Sequence, residues 1–117
     1  MQLIQLYEDF LFEADSSDDF KTFAQKRLEG ATKISDAAKE KGGVALLTYH
    51  HFVVKLPYYK QAAVGRFNAE KATRELRGLQ AELETILKKL DHGTQVRFQK
   101  VMGKIEVIGE LLIKQDQ

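Results

Sequence analysis

The sequence contains no cysteine, a single proline and no long hydrophobic run. Without thiols there can be no disulfide, no thiolate nucleophile, and no zinc or iron–sulfur cluster held by sulfur. A cysteine-free chain suits a reducing compartment, so a cytoplasmic location is the expectation. The apolar runs from Val44 to Leu47 and from Phe52 to Val54 fall far short of the about 20 residues that span a bilayer. The first residues are acidic and lack the basic start and small-residue cleavage site of a secretory leader, so neither membrane insertion nor a signal peptide is expected.

The phosphate-binding and catalytic signatures are also missing. Gly42-Gly43 precedes a helical segment but has no lysine and hydroxyl residue of a P-loop beside it, so it reads as a turn. No serine or threonine sits in a nucleophile elbow. Neither His50 nor His51 has a carboxylate three or four positions away, and adjacent helical residues point about 100° apart. A metal site there would need ligands from other helices, with Asp9 and Glu13 as candidates. No cofactor is expected, and the chain reads as a non-enzyme.

What is present is helical patterning over 117 residues, a length that fits one domain spanning 1–117. The periodicity predicts an all-α, up-and-down antiparallel bundle of four main helices. Its segments are 2–14, 17–41, 44–56, 68–90 and 94–115, with a break at Pro57 and a short extra helix over 58–64. In the first segment Leu3, Tyr7, Phe10 or Leu11, and Ala14 recur at helical spacing, with Leu6 and Phe12 on other sides. A helix that apolar is central or covers a partner. Asp15-Ser16-Ser17 is expected to separate it from the next, capped by Ser16 or Ser17. That helix should bury Phe20, Phe23, Ala24, Leu28, Ala31, Ile34 and Ala38, and Gly42-Gly43 should stop it.

The strongest pattern is C-terminal. Ala69, Ala72, Leu76, Leu79, Leu83, Ile86 and Leu90 alternate at three- and four-residue steps, as do Phe98, Val101, Ile105, Ile108 and Leu112. The intervening Asp91-His92-Gly93 is short enough to force a helical hairpin. Asn68 and Thr94 are the expected caps. Gly78, Gly103 and Gly109 interrupt these helices, and each costs about 1 kcal/mol against alanine. Close approach of a neighbour is the expected reason.

Charge is uneven although the net is only +1. Residues 1–20 hold six acids and no lysine or arginine, whereas residues 21–66 carry a net +6. Near-neutrality overall argues against a dedicated nucleic-acid binder. The acidic start instead lies near the basic middle in one fold, or the basic middle meets an acidic partner.

The candidate binding residues are Tyr49, His50, His51, Tyr58, Tyr59 and Lys60. Histidines titrate near neutrality, and tyrosines beside cations anchor interfaces. The favoured expectation is a helical interaction or assembly module with a protein partner, self-association as a homodimer included. The alternative is a small-molecule or metal pocket around Tyr49–Lys60. A weaker one is nucleic-acid binding through Lys55, Tyr58, Tyr59, Lys60, Arg66 and Phe67. Lys71, Arg74 and Arg77, with Glu70 and Glu75, read as a solvated helix face.

Overall fold

The computed structural model describes residues 13–89 and 91–116. Five helices follow in order: α1 (Glu13–Lys41), α2 (Ala45–Val53), α3 (Leu56–Ala63), α4 (Ala69–Lys89) and α5 (His92–Asp116). The fold is an all-α bundle. No described helix is long and apolar enough to cross a membrane. The expected first helix over 2–14 falls almost wholly outside the described residues.

The break expected at Asp15-Ser16-Ser17 does not occur, because α1 is continuous from Glu13. Serine and aspartate cost only a few tenths of a kcal/mol each inside a helix, and no glycine or proline enforces a stop. Gly42 and Gly43 do end α1, at φ +70° and +58°, values that a side chain disfavours. Along α1 the seven-residue spacing of Ala24, Ala31 and Ala38 makes a seam of small buried side chains against α2 and α3. Ser35 is buried in that seam, whereas Ile34, expected there, is 43% exposed.

Pro57 breaks the α2–α3 stretch, but the break lies before it rather than at it. The chain turns at Val54-Lys55, and Pro57 falls in the first turn of α3, where its missing N–H removes no helical bond. At the far end of α3, Gly65 adopts φ +77° and Arg66 N donates to Gln61 O at 2.8 Å, which closes the helix.

α5 runs through the middle of the molecule. It packs against α4 on one side and chiefly against α2, with smaller contributions from α3 and α1, on the other. The hairpin stripes are as expected where described: Ala72, Leu79 and Ile86 are buried, as are Val101 and Ile108. Val107 and Leu111 are fully buried as well, because α5 has two covered faces. Asn68 caps α4 by accepting from Lys71 N at 2.8 Å. The cap of α5 is Asp91 rather than Thr94: Asp91 Oδ1 accepts from Thr94 N at 2.9 Å, so the helix begins two residues earlier than expected. Among the described residues, Gly103 is the one of the three glycines that meets a close neighbour. A Cβ there would overlap the carbonyl oxygen of His51 and lie 2.8 Å from Val54 Cγ2, whereas Gly78 and Gly109 have open space.

Candidate functional site

The α2–α3 elbow aligns His51, Lys55 and Tyr59 at four-residue intervals. All three turn toward α5, where Glu106 and Glu110 are likewise four residues apart. Lys55 Nζ donates to Glu106 Oε1 at 2.8 Å, and His51 Nε2 lies 3.1 Å from the same oxygen. His51 Nδ1 is buried and, among the described residues, has no hydrogen-bond partner. Tyr59 donates its phenol to Glu110 Oε1 through a short bond, and Arg27 Nε of α1 lies 3.1 Å from Glu110 Oε2. Lys55 is 8% exposed, and its ammonium also stands 4.7 Å from the centroid of Phe52. A cavity of about 250 Å³ opens beside this bracket between α1, α3 and α5. Five of its polar lining groups, Arg27, Lys55, Tyr59, Glu106 and Glu110, are bonded in the pairs Lys55–Glu106, Tyr59–Glu110 and Arg27–Glu110, and the exposed Lys26 completes the polar lining.

Among the described residues, the other face of the elbow is open. Tyr58 points away from Tyr59 and donates to Glu75 Oε2 of α4 at 2.5 Å. Between α3 and α4 lies a groove of about 1260 Å³. Val53, Val54, Pro57 and Phe67 supply its apolar walls, and Arg66, Lys71, Arg74 and Lys104 its charge. Glu75 is the acid among its lining residues, and it is engaged by Tyr58. Arg74 has Glu70 at 3.9 Å on the solvent side. Among the described residues no carboxylate lies within ion-pair distance of Arg66, Lys71 or Lys104.

The six residues singled out from sequence therefore divide. His51 and Tyr59 join the α5 bracket, and Tyr58 crosses the groove. Tyr49 and His50 form an edge-to-face pair at 5.3 Å, with Lys39 of α1 5.8 Å from the Tyr49 ring. Lys60 is exposed. Sequence reading missed Glu106, Glu110 and Arg27. The available signal was the pair of acids at i, i+4 on α5, matched by His51, Lys55 and Tyr59 at the same spacing. Lys71, Arg74, Arg77, Glu70 and Glu75 are exposed, as expected of a solvated face, and Lys71, Arg74 and Glu75 also border the groove. Among the described residues no three histidine or carboxylate side chains are grouped to hold a metal ion. No family model, curated protein or solved structure matches the chain.

The bracket makes stability depend on pH at both ends. Burial works against the charge of Glu106, but hydrogen bonds and charge from Lys55, then His51, outweigh it and hold the carboxyl below its usual value. A lowered carboxyl stabilises the fold above the ordinary carboxylate range and loses that contribution as pH falls through the lowered value. Glu106 is half exposed, so the acid-side effect is modest. Burial, then the bonds to Glu110 and Glu75, raise the phenols of Tyr59 and Tyr58 above their ordinary value of 10.0. Their contribution is present below about pH 10 and is lost as pH rises beyond it. The urea midpoint is expected to fall below about pH 4 and above about pH 10. Glu106→Gln should flatten the acid limb and Tyr59→Phe the alkaline one; unchanged limbs would remove these groups from the account.

Proposed function

We propose that the chain is a non-enzymatic helical interaction module of the cytoplasm, which holds an acidic, apolar-faced segment of a protein partner between α3 and α4. The absence of cysteine supports the compartment. The observation that carries the reading is the groove itself, with apolar walls, four cationic side chains and one acid already bonded to Tyr58. Grooves of this kind take amphipathic helices: apolar side chains fill the floor, and charge on the rim selects the sign of the partner. The polar groups under the elbow support the non-enzymatic part, since they are bonded to each other rather than presented to a ligand.

The test uses a fluorescent designed helix with leucine on one face and glutamate on the other, titrated with the full chain. Binding is expected at low salt and should weaken as salt rises. Lys71→Glu with Arg74→Glu should reduce it at least tenfold, and a lysine version of the helix should not bind. Equal binding of the glutamate and lysine helices would end the proposal. Tighter binding of single-stranded DNA than of the acidic helix would replace it with nucleic-acid recognition.

A further inference from the structure

We infer that the first occupant of the α3–α4 groove is this chain's own N-terminal segment, residues 1–12, docked in cis as an autoinhibitory plug. The inference rests on the groove being a protein-docking surface.

Three observations converge on that occupant. The first is composition. Eight of the twelve residues are hydrophobic: Met1, Leu3, Ile4, Leu6, Tyr7, Phe10, Leu11 and Phe12. A solvated tail of that character would leave a large apolar surface in water, which soluble chains avoid. The second is charge. The segment holds Glu8 and Asp9 and no lysine or arginine, and four further acids follow before Phe20. The groove offers the opposite sign through Arg66, Lys71, Arg74 and Lys104.

The third is reach. The Phe20 ring of α1 lies 5.9 Å from that of Phe67, a wall of the groove. The Lys21 side chain lies against Gly65, beside Arg66. Residue 13 is seven positions from Phe20, roughly 10 Å of helix. Twelve residues before it span up to roughly 40 Å when extended. Attached so near the groove, the segment has an effective concentration of order millimolar, far above that of a separate partner or a second copy at ordinary protein concentrations. A partner must therefore displace the chain's own segment, and the acidic start sets the threshold for binding.

Two measurements on the full-length chain test this. Because the sequence lacks cysteine, Gln5→Cys with Gln61→Cys, on the groove rim, gives one defined pair for a short bismaleimide. Cross-linked monomer should form at least tenfold faster than with Gln5→Cys and Thr85→Cys, which lies ten residues beyond the groove on α4. Adding Lys71→Glu and Arg74→Glu should bring the rate close to that control. Equal rates for the two pairs, or cross-linked dimers as the main product, overturn the inference, the second because it assigns the groove to another copy. In the second measurement, Glu8→Lys with Asp9→Lys should raise affinity for the designed acidic helix about tenfold over the unsubstituted chain. If the helix binds both proteins equally, the inference fails while the docking surface stands. If it binds neither, the docking surface fails and the inference with it.

Discussion

Gly103→Ala should destabilise the protein by about 3 kcal/mol, although alanine is the better helix former by about 1 kcal/mol. The reason is the crossing of α2 over α5. A methyl group at position 103 overlaps the His51 carbonyl oxygen, an atom fixed in α2's backbone, and presses on Val54. A flexible side chain could swing aside, but a helix backbone moves only if the whole of α2 lifts. Lifting α2 would carry His51 and Lys55 away from Glu106. Gly109→Ala is the matched control. It lies six residues further along the same helix, with nothing within 4 Å of the added carbon, and should stabilise by up to about 1 kcal/mol. Urea denaturation of the two variants checks both signs. A gain in stability from Gly103→Ala would mean that α2 and α5 do not approach as described.

Glu106→Ala should cost about 2 kcal/mol. Among the described residues Glu106 is the carboxylate that Lys55 and His51 share, and removing it leaves a nearly buried ammonium with only the face of Phe52. Breaking one side of a buried pair costs about 3–5 kcal/mol. The lower figure applies here because Glu106 itself is half exposed and water reaches the pair. Most of the loss is the orphaned cation rather than the missing attraction. Lys55→Met in the Glu106→Ala background should therefore recover at least half of it. Strictly additive losses in a double-mutant cycle would show that the two side chains do not act together.

The parts of the fold that were legible in the sequence are those where one physical signal acts alone. The regular steps from Ala69 to Ile86 and from Phe98 to Leu112 define a hairpin because each helix needs one apolar stripe to face the other. Gly42-Gly43 and Asn68 marked helix ends because their chemistry is local. Errors arose where two signals compete. Asp15-Ser16-Ser17 resembles a cap, yet it lies inside α1, where the mild cost of polar residues is outweighed by a helix continuing on both sides. Asp91 and Thr94 are both good caps, and the structure uses the one that gives the longer helix. Val107 and Leu111 fell outside the single stripe assigned to α5 because burial against a second set of helices is a tertiary fact.

The site was harder to read for the same reason. Tyr58 and Tyr59 are neighbours in sequence but opposite in direction, so a segment that looked like one cluster serves two faces. Lys71 and Arg74 carry the mixed-charge signature of a solvated helix face, and only the position of the α2–α3 elbow shows that they border a groove. Gly103 was flagged for close approach, but so were Gly78 and Gly109. Nothing in the local sequence distinguishes the one that is crossed by α2.

The bracket under the elbow has a further consequence for assembly. Helices α4 and α5 meet through a short connection, so that hairpin can form from contacts close along the chain, whereas α1 meets α3 across longer separations, as at Phe20 and Phe67. His51 and Glu106 are separated by 55 residues and Lys55 and Glu106 by 51. Closing a loop of that length costs entropy that grows only with the logarithm of its size. The α2–α5 crossing therefore ties the C-terminal hairpin to the α1–α3 set, so that the loss of either one is felt by the other.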